Sequence, residues 1–79
     1  MSPTVFRYKS YRFFFFSREE KRMHVHVSST AGEAKFWLEP AVSLCDNYRL
    51  PAREVRKLQE VIERRKDEII GAWKTHFAG

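Results

Sequence analysis

The sequence predicts an α+β fold: an antiparallel β-meander of three to five strands packed on one long C-terminal α-helix. Three observations predict it. Apolar residues recur with a period of two before residue 50 and with a period of 3.6 after it. Ten of the twelve aromatic residues lie in residues 1–48, and aromatics favour strands. The chain has 79 residues, 43% hydrophobic and 32% charged, so it holds one globular core with no room for a second. The expected organisation is a single domain over residues 1–79, with the meander at 1–49 and the helix at 50–77.

Residues 4–8 (Thr-Val-Phe-Arg-Tyr) read as the first strand and 11–17 as the second. Lys9 and Ser10 make a two-residue hairpin connection, although neither is the Gly or Asn that such turns prefer. Four consecutive phenylalanines, Phe13 to Phe16, put rings on both faces of the second strand, which makes it a central one. Residues 18–22 are all charged and read as a solvated loop. Residues 23–29 then alternate: Met23, Val25 and Val27 face one way, His24, His26 and Ser28 the other. After a turn at Thr30-Ala31-Gly32, residues 33–38 alternate again. Ala34, Phe36 and Leu38 share one face; Glu33, Lys35 and Trp37 share the other. Pro40 ends that strand, because it cannot donate to the ladder. Residues 41–46 fit a helical turn or a short strand, and the strand is the expectation. Cys45 within them reads as a small buried hydrophobe.

From Pro51 to about Phe77 one apolar stripe runs through Val55, Leu58, Ile62, Ile69, Trp73 and Phe77, broken near Arg65-Lys66. A continuous helix of that length would measure about 40 Å, against ~20 Å for a strand. It must therefore bend near Arg65 or run past the sheet. In the second case Ile70, Trp73 and Phe77 need cover, most economically from a second copy in a homodimer.

Strand parity divides the sheet. One face gathers Val25, Val27, Phe36, Leu38 and two phenylalanines, and the helix stripe should cover it. The second gathers Tyr11 or Arg12, the other two phenylalanines, His24, His26, Lys35 and Trp37, with no second helix expected over it. An exposed patch of that kind marks an interaction site. The expected binding residues are Arg7, Arg12, His24, His26, Lys35 and Trp37. The bland alternative is that the rings pack on one another or on a dimer mate. Aromatic rings with basic neighbours suit a protein interface, and they equally suit single-stranded RNA or DNA, where bases stack and cations hold phosphates.

His24 and His26 project to one side of their strand. Three readings are open: interface residues, a general acid and base of a metal-independent ribonuclease, or two ligands of a small metal-binding domain. A third ligand is not evident; Glu39, Cys45 and His76 are the distant candidates. Gly-rich phosphate loops, nucleophile elbows and dinucleotide fingerprints are missing from the sequence, and no cofactor is expected. A single cysteine excludes an intramolecular disulfide framework. With no apolar run near ~20 residues and no signal-like N-terminus, the expectation is a cytoplasmic protein without membrane contact. The net charge of +5 is spread evenly: residues 1–48 carry 7 basic and 5 acidic side chains, residues 49–79 carry 8 and 5.

Pro3 to Arg7, Arg12 to Ser17, His24 to Val27, Ala34 to Pro40 and the helix end Ile70-Gly71-Ala72-Trp73 together resemble the signature of a small bacterial family, domain of unknown function 4160. The resemblance covers nearly the whole chain and brings no established activity. Genes of that family often stand beside another small gene, in an arrangement that resembles toxin–antitoxin pairs. The resemblance thus implies a cognate small protein as partner and a role directed at RNA or DNA. Two departures stand out: family members often have Gly where Ser10 stands, and a helix-capping Ser where Pro51 stands. The cap hydrogen bond would then be missing or supplied by Asp46 or Asn47.

Overall fold

The computed structural model describes residues 4–16 and 21–77. Five strands form one antiparallel sheet in sequence order: β1 (Thr4–Tyr8), β2 (Tyr11–Phe14), β3 (His24–Ser28), β4 (Glu33–Trp37) and β5 (Ser43–Tyr48). Two helices follow, α1 (Ala52–Arg64) and α2 (Lys66–His76). This is the expected α+β meander, with the C-terminal helix in two pieces. Most of the charged run at 18–22 lies outside the described residues.

β3 and β4 form where the apolar alternation is cleanest, with a buried residue at every second position of β4. The β1–β2 hairpin pairs Tyr8 with Tyr11, so Lys9 and Ser10 are its two loop residues, and Lys9 takes the positive φ of 54° that this tight connection demands. Between β3 and β4 the Ser29 N–H donates to the Gly32 carbonyl at 2.9 Å, and the Ser29 hydroxyl accepts from the Ala31 N–H at 3.1 Å. Gly32 is required there by space: a Cβ at this position would run into the Tyr48 carbonyl oxygen at the end of β5.

The core face carries Phe13, Phe15, Val25, Val27, Phe36 and Leu38, all at 1% exposure or less. Val55, Leu58, Val61 and Ile62 of α1 and Ile69 and Trp73 of α2 close over it. The Tyr11 hydroxyl clamps the two layers by donating to Glu54 Oε1 at 2.9 Å. Burial and this carboxylate partner raise the Tyr11 pKa above its ordinary value.

The break falls at Arg65, whose backbone (φ −111°, ψ 21°) leaves the helical region. Its guanidinium stacks on the Phe6 ring at 3.5 Å and forks onto both Glu68 oxygens at 2.9 Å, which fastens the bend to β1. The bend resolves the length mismatch inside the chain. At 13 residues α1 is about 20 Å long, close to one strand length. The redirected α2 brings Trp73 against Phe15, with ring centroids at 5.3 Å. Trp73 is therefore buried without a second copy, while Ile70 and Phe77 stay half-buried beside it.

One expectation changes. Cys45 is exposed, not buried. The register between β4 and β5 shifts between Lys35–Asp46 and Phe36–Leu44, so Cys45 is the extra residue of a bulge on an edge strand that is exposed throughout. Pro51 sits one position before α1 and no side chain caps the helix. Asn47 instead braces the approach: its Oδ1 accepts from the Leu50 N–H at 3.1 Å and its Nδ2 donates to the Leu50 carbonyl at 2.9 Å.

Candidate binding face

Strand register places the side chains of the second sheet face in three rows across the strands. The first row runs Arg7, Arg12, Ser28, Glu33, Tyr48. Thr4, Phe14, His26, Lys35 and Asp46 form the second. In the third, His24 stands opposite Trp37 and Trp37 opposite Ser43, with Phe16 continuing the β2 parity. None of these residues belongs to the core cluster that the helices cover.

The face is a network of rings and cations. Phe14 stacks on His26 at 5.5 Å, Phe16 meets Phe14 at 5.4 Å and His26 at 4.4 Å, and His24 lies 5.1 Å from His26 and 5.6 Å from Trp37. Cations sit on these rings: Arg12 over Phe14 at 4.5 Å, Arg22 and Lys35 over Trp37 at 4.1 and 4.7 Å. Secondary bonds hold the cations in place. The Arg12 Nε donates to the Thr4 hydroxyl at 2.7 Å, and the Arg22 Nε donates to the Glu39 carbonyl at 3.0 Å. Beside β5 a shallow groove of about 180 Å³ opens between His26, Glu33, Lys35, Asp46 and Tyr48.

Strand parity thus brings all six expected binding residues to one face, but not to equal access. Arg7 is exposed, and Arg12, His26, Lys35 and Trp37 are half-buried. His24 is fully buried at 0% exposure. The Trp73 ring reaches around the end of the sheet to within 5.1 Å of it, and the His24 Nδ1–H donates to the Arg22 carbonyl at 2.7 Å. A histidine pair acting together on one substrate needs both rings at the surface, and only His26 reaches it. Among the described residues no three His, Cys, Asp or Glu side chains gather as metal ligands. Glu39, the nearest candidate in sequence, spends Oε1 on the Met23 N–H at 3.1 Å.

Four contributors were not expected at the site: Arg22, Glu33, Asp46 and Tyr48. Glu33 was within reach of the parity argument, since it alternates with Lys35 and Trp37. Asp46 and Tyr48 depend on the bulge at Cys45, which the sequence pattern does not announce. Arg22 stands beyond the end of β3 in the charged run, and its role follows from the ring beneath it.

A five-stranded meander backed by a broken helix, with a cation-and-ring array on its second face, defines a small α+β module. The chain belongs to the family described as Domain of unknown function (DUF4160), whose model matches residues 10–74. No curated protein matches the chain, and no solved structure does. No helix among the described residues is long and apolar enough to cross a membrane.

Proposed function

We propose that the chain is a small binding module, one component of a toxin–antitoxin-like pair, and that its second sheet face holds a cognate small protein. One observation carries this reading: rings and cations are arrayed and braced on the face that the helices leave aside. Arginine and aromatic side chains anchor protein interfaces, and side chains already held in place lose less entropy on binding. The same geometry favours protein over nucleic acid. Arg22 and Lys35 lie on the Trp37 ring where a base would stack, and Glu33 and Asp46 line the neighbouring groove, where they would repel phosphates. The exposed, unpaired Cys45 suits a reducing, cytoplasmic setting.

The test is co-expression with the product of a small gene adjacent to its own, the partner that the family resemblance implies, with Trp37→Ala compared against the native chain. The expected result is loss of co-purification with cooperative unfolding retained. Equal co-purification would remove the face from the interface, and loss of cooperative unfolding would make Trp37 a core residue.

A further inference from the structure

The second sheet face is complementary to itself. Its positive end lies at β1 and β2, where Arg7 and Arg12 stand directly opposite each other. Its acidic side chains lie at β4 and β5, where Glu33 and Asp46 border the groove together with Lys35, and Arg22 reaches over Trp37 of β4. The central strand of the five is β3. A two-fold axis along β3 turns a second copy face down and exchanges the two ends while keeping each row in place. Arg12 of one copy then lies over Glu33 of the other, Arg7 over the Tyr48 ring, and the Phe16 ring over the Arg22 and Lys35 cations that lie on Trp37. The two His26 rings meet at the axis. An axis across the strands instead exchanges the first and third rows and sets Glu33 over Trp37, which matches nothing. We propose that, when no cognate protein is bound, this face pairs with a second copy of the chain through the two-fold axis along β3.

Size and reach agree with the pairing. Five strands about 4.8 Å apart and three rows about 6.8 Å apart give a footprint of roughly 400 Å² per copy before side-chain relief is counted. That is below the ~800 Å² per partner of a standard stable interface, so the dimer is weak and forms in the micromolar range or above. Stacked sheets sit ~10 Å apart and ~30° askew, which long arginines can span. The groove beside β5 supplies the space, since Lys35 leans toward Trp37 and away from Glu33. Among the described residues Phe16 at 45% and Tyr48 at 60% are two of the three large hydrophobics most open to solvent, and the pairing covers both. Arg12, Phe16, His26 and Lys35 already have neighbours within their own chain, and the second copy adds to those contacts.

This inference rests on the face being a binding surface and names its occupant in the isolated protein. The experiment is sedimentation equilibrium from about 1 to about 500 μM, a span that brackets a weak interface of this size. The native chain should show a monomer–dimer equilibrium that weakens as salt rises and the charges are screened. Arg12→Glu and Glu33→Arg should each weaken it by about tenfold or more, because each sets like charges face to face in both symmetric contacts. An equimolar mixture of the two variants should restore the dimer, since the two introduced side chains then attract each other across one contact and the native pair reforms across the other. Restoration also proves that both variants are folded. A native chain that stays monomeric across the range, variants that dimerise unchanged, or a mixture that stays monomeric would each overturn the pairing. Should the native chain stay monomeric while Trp37→Ala still loses the cognate protein, the dimer fails and the binding face stands.

Discussion

The two tryptophans lie on opposite sides of the structural argument, and replacing each with alanine tests it. Trp73 is 7% exposed and packs on Phe77, His24 and Phe15 at centroid distances of 4.3, 5.1 and 5.3 Å. Truncating a buried aromatic to alanine costs about 3–5 kcal/mol through lost transfer energy and the cavity left behind. A 79-residue domain has a total stability of roughly 4–12 kcal/mol, so Trp73→Ala removes a large share of it. At ~4–8 °C per kcal/mol for a domain of this size, Tm falls by at least about 12 °C. Trp37 is half-exposed, and its ring meets Arg22, Lys35 and His24. Losing two partly exposed cation contacts and some packing costs about 1–2 kcal/mol. Thermal and urea unfolding followed by circular dichroism read both values. Trp73→Phe, which keeps a ring at the site, guards against a variant too unstable to measure and should fall between native and alanine. A Trp37→Ala cost equal to or above that of Trp73→Ala would refute the assignment of faces, and the binding surface with it.

Three further outcomes check other parts of the fold. Gly32→Ala drives a methyl group into the Tyr48 carbonyl, which backbone cannot easily yield, so urea titration should show a loss of about 2 kcal/mol or more. Lys9→Gly relieves a positive φ of 54° and should raise stability by up to about 1 kcal/mol by the same titration; a clear loss would mean that the hairpin does not adopt this turn. Tyr11→Phe deletes the bond to Glu54 at a cost of about 1–2 kcal/mol near neutral pH. Because the folded state raises the Tyr11 pKa, the tyrosine's stabilising contribution is full below its ordinary value near 10 and fades as pH climbs through the folded-state value. Urea midpoints from pH 8 to about 11.5 should therefore converge for native and Tyr11→Phe chains at the alkaline end.

Most of the sheet was legible because strand parity is a strict rule. Once β3 and β4 were recognised, the side on which His26, Lys35, Trp37, Val25 and Phe36 emerge followed from period-two geometry alone. Parity fails where a strand carries an extra residue. The shifts beside Val5 in β1 and at Cys45 in β5 reset the alternation, so the face that Asp46 and Tyr48 take does not follow from it, and Cys45, which reads as buried from its residue type, stands at a bulge on an exposed edge. Parity also says which side a residue takes and nothing about what lies against it. His24 points to the expected face and is buried all the same, because its cover, Trp73, comes from an element far along the chain. The family resemblance was legible in the same strands, since the quoted segments fall largely within residues 10–74.

The helix break at Arg65 links fold and face. An apolar stripe interrupted at Arg65-Lys66 leaves no side chain to hold a straight helix onto the sheet there, and the chain bends where that grip lapses. Arg65 then finds the Phe6 ring and Glu68, which fix the direction of the bend. In that direction α2 sends Trp73 around the end of the sheet and no further. Its indole covers His24, the first residue of β3, while no residue of the rows running through His26 and Ser28 joins the core cluster. A chain with only 24 residues in α1 and α2 together has enough helix to cover one face of five strands, not two. The second face must then either be polar or meet something from outside. Here it carries rings braced by cations, with Phe14 buried among them and Phe16 and Tyr48 left exposed. The same 24 residues that complete the core therefore decide, by where they bend, which side chains of the second face they bury and which they leave aside.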